Sequence, residues 1–218
     1  MRTKLYLASV APLSDEAAFS RLLQTVMEAR REKVLRCRDA GGKRLLLGAG
    51  MLLEKALAAE GLTASDYAET PEGKPFLPSL PDFRFSLSHS GETVLCAVSE
   101  RELGCDVERV RNFDLRLAER FFHPEESAYL SALPEGERQA AFFRLWTLKE
   151  SYMKARGLGF ALPMSAFAIS FDGGIRASGA DDGRDWRFLS FREGDSFAAL
   201  CAEDADRDVP VIRAELLG

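Results

Sequence analysis

The run Leu103-Gly104-Cys105-Asp106-Val107-Glu108 places apolar side chains at every second position and carboxylates between them. A period of two is the mark of a strand, where successive side chains point to opposite faces. Leu103, Cys105 and Val107 then face apolar surroundings, and Asp106 and Glu108 share the other face. Two neighbouring carboxylates repel, and partial burial sharpens the repulsion. A hard divalent cation relieves it, and magnesium is commonly held by one or two carboxylates together with substrate phosphates. Gly104 would let a backbone or a ligand approach the strand closely. Taken alone, the pair also fits a solvated acidic edge neutralised by Arg109 and Arg111.

The flanking sequence predicts strands and helices in the order of an α+β protein. A first strand is expected over 4–10, then a helix over 14–29 with Ser14 as N-cap and Asp15 and Glu16 in its first turn. A basic stretch follows, with Arg30, Arg31, Lys33, Arg36 and Arg38. A helix over 43–60 has its apolar residues at three- and four-residue steps, and Gly61 ends it. Four prolines make 71–82 a loop, and 83–88 and 93–99 read as a hairpin. After the strand at 103–110, helices are expected near 116–122, from Pro124, and over 137–156, the last closed by Gly157. The tail predicts strands near 167–171, 186–191 and 196–202. Strand, helices and strands thus occur roughly twice, which predicts two α+β lobes, 1–101 and 102–218.

The helix over 137–156 carries Trp146, Glu150 and Lys154 at four-residue steps, hence on one face. They could serve a ligand wall, a metal and a phosphate, or form an ordinary surface pair beside a tryptophan. His89 sits in Ser88-His89-Ser90-Gly91 at a strand end, a common place for phosphate contacts, and equally for a turn histidine bonded to backbone.

Bulk properties exclude several classes. The 218 residues carry a net charge of -5, which argues against non-specific nucleic-acid binding. Residues 1–10 lack the apolar core of a signal peptide, and no run of about 18 apolar residues occurs. Cys37, Cys96, Cys105 and Cys201 match no zinc spacing and read as reduced thiols of a cytoplasmic protein.

Taken in order, these motifs resemble the Sfp-type family of 4′-phosphopantetheinyl transferases over most of the chain. Gly73-Lys74-Pro75 is similar to the family's G-K-P, and residues 85–90, Phe-Ser-Leu-Ser-His-Ser, form the next motif. Gly104-Cys105-Asp106-Val107-Glu108 is similar to G-[IV]-D-[IV]-E, with Cys105 the departure, and Phe121-Phe122-His123-Pro124-Glu125-Glu126 is similar to F-F-x-x-x-E. The stretch from Trp146 to Gly159 is similar to W-[ST]-x-K-E-[AS]-x-x-K-x-x-G-x-G.

The resemblance implies a pseudo-twofold fold of two similar α/β lobes with coenzyme A at the seam. It implies that Asp106, Glu108 and Glu150 hold Mg2+, that Ser88 and His89 touch phosphates, and that Lys154, with Lys149, meets the pyrophosphate. Lys74 and Pro75 would lie by the adenine, and Arg44, Lys33 and Arg30 would receive the 3′-phosphate. The implied activity transfers 4′-phosphopantetheine from coenzyme A to a serine of an apo acyl or peptidyl carrier protein, releasing adenosine 3′,5′-bisphosphate. Glu150 and Glu126 are both candidates for the base. A patch of Arg109, Arg111, Arg116 and Arg120 interleaved with Phe113, Leu115 and Leu117 could receive an acidic carrier. No nucleic-acid or membrane partner is expected, and a monomer is plausible. A pyrophosphate hydrolase and a non-catalytic coenzyme A or carrier-binding module are the alternatives.

Overall fold

The computed structural model describes residues 1–203 and 208–217, without the side chain of Phe160. The chain opens with β1 (Lys4–Ser9), α1 (Glu16–Leu23), α2 (Glu28–Arg36) and α3 (Ala40–Ala59). Short strands β2 (Ala68–Glu69) and β3 (Pro75–Phe76) precede the hairpin β4 (Arg84–Ser90) and β5 (Thr93–Ser99). Then come β6 (Leu103–Arg109), α4 (Arg116–Phe121), α5 (Pro124–Ala132) and α6 (Glu135–Arg156). The tail adds β7 (Ala168–Ser170), β8 (Arg176–Ser178), β9 (Trp186–Glu193), β10 (Ser196–Glu203) and β11 (Val211–Arg213).

The main sheets have orders β11-β1-β5-β4 and β6-β10-β9. All pairings in them are antiparallel except β1 with β11. Alternation along the strands divides the core. Leu5, Leu7, Leu95 and Ala97 of the first sheet pack with Leu103, Cys105, Val107, Ala198 and Leu200 of the second. The opposite face of the first sheet, with Tyr6, Ala8, Val94 and Cys96, packs with Leu47, Leu52, Leu53 and Leu57 of α3. The opposite face of the second, with Ala199 and Cys201, packs with Leu145, Leu148 and Tyr152 of α6.

Most predicted elements occur within a few residues of their expected bounds. The expected 14–29 helix is two: Asp15, not Ser14, caps α1 by accepting from the Ala18 N–H at 2.7 Å, and the basic stretch forms α2. Ser14 instead ends a 3-10 turn and bonds back to the Ala11 carbonyl. The last strand, β11, pairs with β1, and Leu216 joins the core under α3. The end of the chain thus packs on the first sheet, across the sequence boundary drawn at 101.

Candidate active site

The seam between the sheets is made by side chains. Ser86, Ser88 and Ser90 of β4 point toward β6, where their hydroxyls accept the backbone N–H groups of Cys105, Val107 and Arg109 at 3.0, 3.3 and 3.1 Å. Buried backbone donors need partners, and hydroxyls at a period of two supply them where no backbone ladder runs. Two of these hydroxyls also reach the acids: Ser88 donates to Asp106 Oδ1 at 2.7 Å and Ser90 to Glu108 Oε2 at 2.8 Å.

Behind β6 lies α6. A Cβ on Gly104 would stand 2.2 Å from the Ser151 carbonyl oxygen and 2.3 Å from the Ala155 nitrogen, so only glycine permits this approach. The contact brings Lys154 onto β6, where its Nζ donates to Asp106 Oδ1 at 2.8 Å and to the Cys105 carbonyl at 3.2 Å. Gly157, at φ 66°, ends the helix in the left-handed conformation.

A cleft of about 480 Å³ opens over this junction. Asp106, Glu108, Glu150, Lys154, Trp146, Ser88 and His89 all line it, and Arg30, Lys33, Tyr67 and Glu69 line it as well. An adjoining cavity of about 250 Å³ shares Gly73, Pro75, Leu87, Glu150 and Lys154 with it, and adds Lys74 and Met153.

The electrostatics follow from this crowding. Burial raises the Glu150 carboxyl above its ordinary range, the charges of Asp106 and Glu108 raise it further, and Lys154 opposes them. Burial pulls Lys154 down, but Asp106, Cys105 and Glu150 outweigh it and leave the ammonium above its usual value. The cleft walls take water from His89 and lower its pKa, and Lys154 and Arg30 push the same way.

Asp106 is 5% exposed, and its Oδ2 is buried without a hydrogen-bond partner. An orphaned carboxylate oxygen is costly, and beside two further carboxylates it fits a hard cation. Among the described residues no three His, Cys, Asp or Glu side chains are already gathered as a metal cage.

Several expected site residues sit elsewhere. Lys149 and Glu126 are fully buried and do not line the cleft. Lys149 Nζ donates to both Glu126 oxygens at 2.8 and 2.6 Å and to the Phe167 carbonyl at 2.6 Å. The Glu126 carboxylate also accepts from the Ile169 and His123 N–H groups at 2.7 and 3.0 Å. With its acceptor sites filled, Glu126 has no oxygen left for a substrate proton, and Lys149 has none of its three donors free for a phosphate. Both are corrections to the expected roles. Burial lowers Lys149 to about 8, with Glu126 opposing the shift.

Lys74 lines the smaller cavity, but its ammonium bonds to Glu102 and to the Ala155 carbonyl at the end of α6. Glu102 also accepts from Arg84 Nε at 3.0 Å, so Lys74 ties the β2–β3 loop to both sheets' edges. Arg44 lines neither cavity. Ser88 does line the larger one, yet its single proton already goes to Asp106. Sequence reading passed over Ser90, Glu102, Tyr67 and Glu69. The serine alternation at 86, 88 and 90 was a signal that could have found the first.

A family model described as the 4′-phosphopantetheinyl transferase superfamily matches residues 102–202. A 4′-phosphopantetheinyl transferase of Bacillus subtilis is 32% identical over 192 residues, covering 85% of this chain and 86% of the relative. The 4′-phosphopantetheinyl transferase Sfp of Bacillus subtilis strain 168 is 34% identical over 161 residues, 72% of this chain and 71% of that one. The holo-[acyl-carrier-protein] synthase of Thermotoga maritima, a solved structure, overlaps 48% of this chain and 64% of its own at 18% identity and a TM-score of 0.42. With both Bacillus relatives matched over more than two thirds of their length, this chain belongs to the Sfp-type family of 4′-phosphopantetheinyl transferases and is an enzyme of that class.

Proposed function

We propose that the protein transfers the 4′-phosphopantetheine arm of coenzyme A to a serine hydroxyl of an apo acyl or peptidyl carrier protein, releasing adenosine 3′,5′-bisphosphate, with Mg2+. The observation that carries this reading is the buried, partnerless Asp106 Oδ2 in a cleft that also holds Glu108, Glu150, Lys154 and His89. The same strand orders, β1-β5-β4 and β6-β10-β9, on either side of the seam support two similar lobes related by a pseudo-twofold. The first would comprise residues 1–101 and the second begin at 102, with β11 docked back on the first.

Asp106, Glu108 and Glu150 would hold the magnesium ion. When bound, it supplies Lewis-acid charge to the pyrophosphate oxygens. Lys154 stands between Asp106 and the open cleft, about one-third exposed, and its ammonium takes a share of the phosphate charge. His89, its pKa lowered by burial, serves as a hydrogen-bond donor to the phosphates. Glu150, raised above the ordinary carboxylate range, is the acid suited to accept the serine proton, directly or through water. Charge on the leaving bisphosphate is met by Arg30 and Lys33, which also line the cleft. Pro75, which lines both cavities, provides an apolar wall for the adenine. Positioning and electrostatics do most of the work in such displacements.

All four cysteines are free thiols, which supports a cytoplasmic setting. No described helix is long and apolar enough to cross a membrane. The test is to incubate the protein with coenzyme A, Mg2+ and an apo-carrier and to weigh the carrier. A gain of one phosphopantetheine, lost on chelation and in Asp106→Ala, is expected. An unchanged carrier, with coenzyme A hydrolysed, would replace transfer by hydrolysis.

A further inference from the structure

The basic end of the cleft contains an acid. Arg30 and Lys33 of α2 lie 5.7 and 5.1 Å from the centre of the Tyr67 ring. Glu69 of β2 sits among them: Lys33 Nζ donates to its Oε1, and the Tyr67 hydroxyl donates to the same oxygen at 3.3 Å. The hydrogen bond from Lys33 is the largest influence lowering the Glu69 pKa, and the charge of Arg30 adds to it. All four side chains line the cavity that holds Asp106 and Glu150.

A carboxylate here is a poor fit to permanent duty in an anion site, because it repels any phosphate that approaches. Its bonds, however, are those a phosphate would make. A lysine ammonium and a tyrosine hydroxyl donate equally well to either acceptor, and a phosphate monoester brings more charge and more acceptor oxygens. Arg30 is 5% exposed, its Nη2 donating to the Leu46 carbonyl at 3.0 Å and its Nε packed against Gly50 of α3, so it acts on the cleft chiefly through its charge. A dianion would bond to Lys33 and Tyr67 as Glu69 does and gain more than Glu69 from the nearby Arg30 charge.

The Lys33–Glu69 pair is also weak enough to exchange. Lys33 and Glu69 are 35% and 40% exposed, a setting in which ion pairs contribute little. Glu69 is anchored through its backbone, paired with Pro75 of β3, so its side chain can swing away while the strand stays in place.

We infer that Glu69 is an internal stand-in for a ligand's terminal phosphate. It holds Lys33 and Tyr67 in their receiving positions while the cleft is empty, and it is displaced by the phosphate of the arriving ligand. This rests on the proposed coenzyme A reading and adds a selectivity device to it. A ligand with the terminal phosphate must evict Glu69, whereas one without it leaves the Lys33–Glu69 pair intact.

The experiment is titration calorimetry of coenzyme A and 3′-dephospho-coenzyme A, with Mg2+, on the wild type, Glu69→Gln, Lys33→Ala and Glu28→Gln. Glu28, paired with Arg31 on the same helix, controls for net charge. Glu69→Gln is expected to tighten coenzyme A about threefold to tenfold, the size of one exposed charge interaction, and to change the dephospho ligand less than twofold. Lys33→Ala should erode the preference for the phosphorylated ligand, and Glu28→Gln should alter neither. Weaker coenzyme A binding by Glu69→Gln would make Glu69 a fixed organiser and overturn the inference. Equal shifts for both ligands, or the same shift in Glu28→Gln, would overturn it as well. A wild type that binds no coenzyme A would end the underlying reading, and a wild type indifferent to the terminal phosphate would end only the assignment of this basic end.

Discussion

Gly104 and Ser151 meet backbone to backbone, with room for a hydrogen but not for a methyl group. This one contact sets the distance between the strand that carries Asp106 and Glu108 and the helix that carries Glu150 and Lys154. Gly104→Ala must push α6 away from β6, because the obstructing atoms are main chain and cannot rotate aside. Overpacking of this kind costs about 1–3 kcal/mol. A shift of about 1 Å in reacting groups can cost roughly a hundredfold in rate. The variant is therefore expected to fold with a lower denaturation midpoint and to lose about two orders of magnitude in kcat. Wild-type turnover in a folded Gly104→Ala protein would show that this spacing does not tune the site.

Glu150 ties activity to instability. A carboxylate whose pKa is raised by folding binds its proton more tightly in the folded chain than in the unfolded one. Stability then falls as pH rises from the ordinary carboxylate value through the raised one. Glu150→Gln removes that penalty. In the absence of metal it should melt higher than the wild type at pH 7–8, with each kcal/mol worth roughly 2–4 °C, and the advantage should vanish at pH 4. The same variant should lose transfer activity. Thermal scans at the two pH values, with transfer assayed alongside, test both halves.

The alternation on β6 was legible because one strand face is apolar and the other, though also covered by α6, carries the carboxylates, and period two reports that directly. The i,i+4 spacing of Glu150 and Lys154 likewise gave their common helix face. What escaped were relations between distant segments. The serine alternation at 86, 88 and 90 marks a shared face but not its partner strand β6, and nothing local marks Lys74 as a strut to the end of α6. Glu126 and Lys149 were misread because a carboxylate and a lysine in motifs look the same in sequence whether they face a cleft or each other. β11 was missed since a three-residue strand takes its identity from β1, to which it pairs.

Glu126 and Lys149 should therefore report on folding. Removing one member of a buried pair leaves the other charge uncompensated, at a cost of about 3–5 kcal/mol. Lys149→Met is expected to lower the denaturant midpoint severely. Glu126→Gln keeps the shape, so it should lose stability while the folded fraction keeps most of its kcat. If Glu126→Gln instead removed turnover without loss of stability, Glu126 would return as a candidate base.

Ser88 shares Asp106 Oδ1 with Lys154 and accepts the Val107 N–H, so Ser88→Ala removes one of two donors to the acid and orphans a buried N–H together. Groups that orient a metal-binding carboxylate typically matter 10–100-fold in metal affinity. Ser88→Ala should weaken Mn2+ binding, read by electron paramagnetic resonance, by about that range. Ser90→Ala should weaken it less, because Glu108 is more exposed than Asp106 and the Arg109 N–H it would leave is at the exposed end of β6. Equal metal affinity in both variants and the wild type would limit the serines to the seam.

The proposed carrier patch changes character once its side chains are seen. Phe113 stacks on Phe142 with ring centres 4.1 Å apart, and Leu115 packs against the core of the second sheet, so each presents only part of its surface to a partner. Arg109 pairs with Asp195, and Arg111 with Glu108. Both arginines stay 59% and 64% exposed, and α4 faces outward beside them: Leu117 and Phe121 are each 37% exposed, Arg120 lies 5.1 Å from the Phe121 ring, and Arg116 is 84% exposed beside Asp114. Two apolar side chains flanked by two arginines suit an acidic, amphipathic helix of the carrier, with the charges steering encounter and the apolar pair slowing release. Arg116→Glu with Arg120→Glu is expected to raise the KM for carrier about tenfold or more, most strongly at low salt. Leu117→Ala with Phe121→Ala should raise it with little salt dependence. Coenzyme A affinity, measured by calorimetry, should stay as in the wild type for the charge variants, since neither arginine lines the cleft. An unchanged KM in both double variants would move carrier recognition off α4.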